Sequence, residues 1–381
     1  MHIYRRILTT VTMVVASSSL AAVASADGTL IRWHMMGEEE GGTNGSSVFG
    51  TLDSPVDAGD FQPLDLSATN TPTYRTISGR PDGGGGIGIE FNAAQQESLS
   101  GLALNWPEQS ALSDTQGGLY DLVGIDDRGL QFWVRPTSTA TQSLVMDTNQ
   151  HGVRINSAGR FSMRFASLDF ASTLAVVPNT WYHIEVVRPD GLASRSRMYV
   201  NGVAVAVSSE IDYAADITTN LTVGSNTAGN GEFFSGIIDE LTMSVYGTST
   251  GSTAYGSYNF ASENAFAEFT LTGVPGDINH SGALTDADKT AFIAGWMNRK
   301  VVNGLQIGDL QTFGQGDLNL DGITNIFDLA MMQDALSGAG IGAITAADLA
   351  GSVPEPSTGM LILLAAAAAS SIRSGRRRGR L

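Results

Sequence analysis

The chain has 381 residues, 42% of them apolar, no cysteine and a formal charge of −17. So acidic a chain repels nucleic acid and anionic membrane surfaces and attracts cations. The missing cysteines exclude thiol nucleophiles, thiolate metal sites, disulfide staples and lipid attachment through sulfur.

The length predicts two folded units plus tails, and 45 glycines among many Ser and Thr favour strands and turns. At the N-terminus, Arg5 and Arg6 precede an apolar run from Ile7 to Val23, and Ala24-Ser25-Ala26 supplies small residues. This order is that of a secretory leader over residues 1–26, removed by signal peptidase so that the mature chain begins near Asp27. Without the leader and the basic tail from Glu355 onward the charge falls to −23.

From residue 27 to 272 short strand signals recur. Leu130–Val134 ends at Arg135-Pro136, and Trp181–Val187 closes at Pro189-Asp190-Gly191. Met198–Val200 and Val203–Val207 flank Asn201-Gly202, a two-residue hairpin signal because both central residues need positive φ. Leu221–Val223 and Gly236–Val245 continue the pattern, and no long amphipathic helix interrupts it. The expected fold class is mainly β, an antiparallel sandwich, followed by a small α-helical unit.

The ordered pieces Phe132-Trp133-Val134-Arg135-Pro136, Asn179–Ile184, Met198–Gly202, Leu221–Gly224 and Phe234–Leu241 resemble successive strands of LamG-like, concanavalin A-like jelly rolls. Leu30–Met36 and Gly88–Asn92 resemble the opening strands, while Gly37–Gly85 is looser. Trp133, Trp181 and Tyr199 are expected to support the core or turns rather than to form sugar platforms. Asp239-Glu240 resembles a recurrent acidic pair of that family, expected to be structural.

The sharpest chemistry lies in residues 275–350. Asp277, Asn279, Ser281, Thr285 and Asp288 occupy positions 1, 3, 5, 9 and 12 of a twelve-residue loop, with Gly282 at the sharp turn. Asp317, Asn319, Asp321, Asn325 and Asp328 repeat the design forty residues later around Gly322. Oxygen ligands at this spacing suit Ca2+, a hard cation needing six to eight of them, and the position-7 carbonyls belong to Ala283 and Ile323. Two ions are expected. Each loop runs into an apolar helical segment, Ala287–Met297 or Phe327–Leu336.

Aspartate rather than glutamate at position 12, with one helix after each loop, resembles the dockerin type I repeat over Gly276–Leu336, with Ala343–Leu349 as a closing helix. That resemblance implies a cohesin-bearing partner, chosen in part by Asp286-Ala287 and Ile326-Phe327. A calcium-stiffened module with no cohesin fits the same residues. Ser281 leaves the first loop two carboxylates against three in the second, so the second should bind calcium more tightly. The inter-repeat segment Asn298–Gln315 is long for the family.

The tail, residues 353–381, joins Val353-Pro-Glu-Pro-Ser357 to an apolar run, Met360–Ala369, and then to Arg373, Arg376, Arg377, Arg378 and Arg380. The run is short for a spanning helix of about twenty residues, and the basic cluster favours the cytoplasmic side. The order resembles the PEP-CTERM sorting signal, which implies removal by an exosortase-type protease and release to the cell surface or matrix.

No catalytic residue is assigned. Glu210-Ile-Asp212 opens the jelly-roll glucanase signature, but Ala214 and Ala215 stand where its second glutamate belongs. Gly247-Thr-Ser249-Thr-Gly251 matches a nucleophile elbow by letters only, with no helix after it. The function expected is a non-catalytic, calcium-binding exported protein whose jelly roll binds a polysaccharide, a surface glycan or another surface protein. A divergent polysaccharide hydrolase tethered through its dockerin is the alternative, and a purely structural matrix component a third reading.

Overall fold

A computed structural model describes residues 42–48, 51–52, 66–81, 86–102, 127–147, 150–165, 167–188, 195–209, 220–226, 231–246 and 273–350. The leader, the opening segment Leu30–Met36, Glu210-Ile-Asp212, Gly247–Gly251 and the tail lie outside these residues. No helix among the described residues is long and apolar enough to cross a membrane.

Among the described residues fifteen strands build the first unit. They are β1 (Thr51–Leu52), β2 (Leu66–Thr69), β3 (Thr73–Ile77), β4 (Gly86–Phe91), β5 (Ser98–Leu102), β6 (Asp127–Pro136), β7 (Gln142–Asp147) and β8 (Gly152–Ile155). β9 (Arg160–Phe165), β10 (Leu168–Ala175), β11 (Tyr182–Arg188), β12 (Arg197–Val200), β13 (Val203–Val207), β14 (Asn220–Val223) and β15 (Gly236–Tyr246) complete the set. An eight-stranded sheet runs β1-β2-β5-β14-β7-β8-β9-β10 and a seven-stranded sheet β13-β12-β11-β6-β15-β4-β3. The expected mainly β antiparallel sandwich is what the chain forms.

Period-two alternation explains which faces meet. Phe132, Val134, Ile184, Val186 and Ile238 of the seven-stranded sheet pack in one core with Val145, Phe161, Met163, Leu221 and Val223 of the other. Burying a side chain of this size contributes about 1.5–3 kcal/mol, so this core is the main stabiliser of the sandwich. The intervening residues Trp133, His183, Glu185 and Tyr199 share the outer face of the seven-stranded sheet. Trp133 and Trp181 are buried there with Ile77 and Ile237, and the Trp181 indole donates to the Ser78 carbonyl at 3.1 Å. They are structural, as expected.

The Asp239-Glu240 pair is structural too. Arg80 is 6% exposed, ion-paired to the buried Asp239 carboxylate and, at 2.8 Å, to Glu240. Glu240 has φ 48 at a register shift between Asp239 and Thr242, which bends β15 over its neighbours.

Asn201-Gly202 makes the predicted tight turn between β12 and β13, with Asn201 at φ 50 and Gly202 at φ 74. Among the described residues β13 pairs with β12 and with no other strand, so it stands at the edge of its sheet. A bulge between Met198 and Tyr199 pairs Met198 with Ala206 but Tyr199 with Ala204. The extra residue brings Ala204 and Val207 into one outer-face cluster with Tyr199 and Val187.

The second unit carries the helices α1 (Asp286–Gly295), α2 (Leu310–Phe313), α3 (Ile326–Ala339) and α4 (Ala346–Ala350), plus a small hairpin, β16 (Val301–Val302) with β17 (Leu305–Gln306). Ile278, Phe292, Met332, Leu336, Ile344 and Leu349 form its core. Thr285 and Asn325 cap α1 and α3 with reciprocal capping boxes closed by Asp288 and Asp328. One residue at each helix start therefore serves as loop end and helix cap.

Candidate metal centre

Both predicted loops adopt the same backbone. His280 and Leu320, at position 4, have φ 55 and 56, and Gly282 and Gly322, at position 6, both have φ 87. In each, the position-1 aspartate draws the chain round itself. Asp277 accepts from Ser281 N at 3.0 Å and Gly282 N at 2.7 Å; Asp317 accepts from Asp321 N at 3.0 Å and Gly322 N at 2.8 Å. The position-12 aspartate closes the ring. Asp288 accepts from Asn279 N at 3.1 Å and Thr285 N at 2.8 Å; Asp328 accepts from Asn319 N at 3.1 Å and Asn325 N at 2.8 Å.

The second loop gathers more charge. Carboxylate oxygens of Asp317, Asp321 and Asp328 lie within 4.8 Å of one another, and Asp317 and Asp328 are fully buried. Asn319 and Asn325 turn toward the same point, their amides donating to Asp321 at 3.2 and 3.4 Å. Desolvation by burial raises the Asp317 carboxyl to about 6, and Asp328 and Asp321 push it the same way. Burial also raises Asp328, against three backbone donors that lower it. Three converging carboxylates, two of them out of water, are costly alone, and a divalent cation at their centre removes that cost. The donor set, all oxygen and hard, fits Ca2+.

In the first loop the Ser281 hydroxyl donates to the Ala283 carbonyl at 3.0 Å, so it is bonded to the very oxygen that position 7 would offer a cation. Thr285 donates to Asp288 at 3.0 Å. The structure thus brings Asp277, Asn279, Ser281, Ala283, Thr285 and Asp288 together on one loop, and Asp317, Asn319, Asp321, Ile323, Asn325 and Asp328 on the other.

The jelly roll contributes one further concavity, about 480 Å³, lined by Thr73, Arg75, Glu90, Asn92, Glu97 and Ser235 among others. Arg75 is ion-paired to Glu90. Glu97, almost fully buried, accepts from Asn92 N at 2.6 Å, and burial above all, with Glu90 beside it, holds its carboxyl above the usual range. Sequence spacing gave no hint of this cleft, because its residues come from four separate segments.

Sequence reasoning also missed what the long inter-repeat segment does. It folds as the β16–β17 hairpin and α2, between the second loop and the jelly roll. Two signals were available. Val301-Val302-Asn303-Gly304-Leu305-Gln306 is an Asn-Gly hairpin like the one at Asn201-Gly202, and Asp309 with Thr312 forms a capping box.

Residues 125–249 match the family described as the concanavalin A-like lectin/glucanases superfamily. No curated protein matches the chain significantly. Among solved structures, domain 4 of AbnA, a GH43 extracellular arabinanase from Geobacillus stearothermophilus solved with arabinotriose, is 18% identical with a TM-score of 0.34, over 52% of this chain and 89% of that one. The SAP-like pentraxin of Limulus polyphemus is 16% identical with a TM-score of 0.26, over 31% and 64%. The binding domain of botulinum neurotoxin DC is 10% identical with a TM-score of 0.37, over 61% of this chain and 53% of that one. The family match over residues 125–249 and the two antiparallel sheets of the described strands together fit a jelly-roll sandwich.

Proposed function

We propose that this is an exported, non-catalytic calcium-binding protein of the cell surface or matrix, whose jelly roll binds carbohydrate or another surface protein. The observation that carries the calcium reading is the triad of buried Asp317 and Asp328 with half-buried Asp321, whose oxygens converge within 4.8 Å. Calcium titration of the chain from Asp27 to Ala350 tests it by calorimetry: two ions bind, and Asp328→Ala with Asp288→Ala abolishes both. Failure of the unsubstituted protein to bind calcium would refute the reading.

A dockerin-like role is supported by one surface. Ile326 is 62% exposed, Phe327 68% and Met331 46%, all in the first turns of α3. Phe327 and Met331 are four apart and share one side of the helix. The first repeat offers Asp286 and Ala287 at the matching positions, so a cohesin-type partner would engage the second repeat, and Phe327→Asp would abolish its capture. Without such a partner the unit is a calcium-stiffened module.

Carbohydrate binding is supported by the lectin/glucanase family match and by the polar cleft at Arg75, Glu90 and Asn92, whose donors and acceptors suit sugar hydroxyls. Its two carboxylates are already engaged, Glu90 by Arg75 and Glu97 by the Asn92 amide, which favours binding over hydrolysis. Retention on a glycan array without release of reducing sugar fits this function. Sugar release lost in Glu90→Gln would instead establish the tethered hydrolase.

A further inference from the structure

The edge strand β13 presents unpaired backbone groups on the side away from β12, and exposed edges are normally blunted or covered. Here they are met from the other unit. The Ala204 amide donates to the Asp309 carboxylate at 2.8 Å, the Asn303 side-chain amide donates to the Val207 carbonyl at 2.9 Å, and the Leu310 amide donates to the Gly202 carbonyl at 3.2 Å. Arg195 reaches the Asn303 carbonyl as well. Beneath these bonds Ile307, fully buried, packs with Val187, Tyr199, Ala204 and Val207 of the jelly roll.

The same segment holds the second calcium loop from its other side. The Lys300 amide donates to the Gly322 carbonyl at 3.0 Å, the Thr324 amide to the Asn298 carbonyl at 3.0 Å, and the Gln306 side-chain amide to the Asp321 carbonyl at 2.8 Å. Asp309 joins the two sets. It is fully buried, caps α2 through the amides of Gln311 and Thr312 at 2.9 and 3.0 Å, accepts from Ala204, and is ion-paired to Lys300. The first loop meets the segment through the ring of His280 stacked on Phe313, 5.5 Å between centroids, while its Gly282 has open space around it.

We propose that residues 298–315 are a docking bracket through which cation occupancy of the second loop is coupled to the edge of the jelly roll. Calcium at Asp317–Asp328 orders the loop backbone, the bracket is held against it, and β13 gains its cover. The two units then behave as one cooperative body in calcium and uncouple without it. The inference rests on the calcium reading above.

Hydrogen–deuterium exchange on the chain from Asp27 to Ala350, with calorimetry in parallel, tests it. Calcium should slow exchange in the peptide spanning Val200–Ser208 at least tenfold relative to chelator. Asn303→Gly keeps the turn's positive φ but removes the side-chain donor; it should retain both calcium sites and lose much of that protection. Asp309→Ala should lose it entirely, and the Gly variant answers the question should the Ala variant misfold. Calcium binding that leaves the Val200–Ser208 exchange unchanged would overturn the coupling alone. Absence of calcium binding would overturn the proposed function and the coupling together.

Discussion

The two acidic loops, Asp277–Asp288 and Asp317–Asp328, share a backbone and differ in almost everything around it. Gly282 and Gly322 have the same φ of 87, yet a Cβ at Gly282 meets nothing within 4 Å while one at Gly322 comes within 2.7 Å of the Ile307 backbone. Asn279, His280 and Ser281 are exposed, whereas Leu320 and Gly322 are buried under the bracket. Loop geometry is therefore dictated by the residue pattern, twelve positions with an acid at each end. Electrostatic strength and mechanical role come from the surroundings.

The largest expected effect separates the loops by their closing acids. Asp328→Ala should weaken the tighter site at least a hundredfold and lower the calcium-bound melting temperature by several degrees; Asp288→Ala should remove only the weaker site and leave β13 protected. Calorimetry and melting curves on the two variants check this. Equal effects would erase the distinction.

The glycines come next. Gly322→Ala combines a left-handed φ with a backbone collision and should cost about 3 kcal/mol, against about 1 kcal/mol for Gly282→Ala, where only the φ is strained. Chemical denaturation of each variant in calcium measures the gap.

The pH response should belong to the second loop. Burial raises the Asp317 carboxyl to about 6 in the fold, above its unfolded value near 3.8. The metal-free fold then holds an extra proton between those values. Its stability falls as pH rises from about 4 to 6, by an amount on the order of 2–3 kcal/mol, and stays reduced above that. Calcium must displace that proton, so affinity at the second loop should drop as pH falls below about 6. Melting of metal-free protein at pH 4.5 and 7, with calcium titrations at both, gives the two slopes.

A smaller change should narrow the comparison. Ser281→Asp gives the first loop its third carboxylate and frees the Ala283 carbonyl, and should tighten that site about tenfold, or about 1.4 kcal/mol. The smallest effect is at the interface. The Tyr199 hydroxyl is fully buried with no hydrogen-bond partner, and burial pushes its phenol up. Tyr199→Phe should change stability by less than about 1 kcal/mol, toward neutral or stabilising, as chemical denaturation will show.

Local signals made much of this legible. Asn201-Gly202, the alternation from Phe132 to Val134 and the spacing of the loop aspartates are short-range patterns whose physics is complete within a few residues. The helices that follow the two loops were legible too, although α3 continues to Ala339, beyond the expected Leu336, because Gly340 at φ 70 supplies its cap. Spatial meetings left no such mark. Asp309 and Ala204 are 105 residues apart, and the Arg75–Glu97 cleft draws on separate strands. The bracket's own hairpin was readable in Asn303-Gly304; its role was not, because an edge strand is defined only once the sheet order exists.

The amides of Gly282 and Gly322 report the two unequal loops separately, since each donates to the first aspartate of its own loop. A calcium titration followed by NMR at these two resonances is the most direct test. The Gly322 signal should reach its bound position first, with at least a tenfold lower midpoint than Gly282. Simultaneous saturation, or Gly282 responding first, would contradict it.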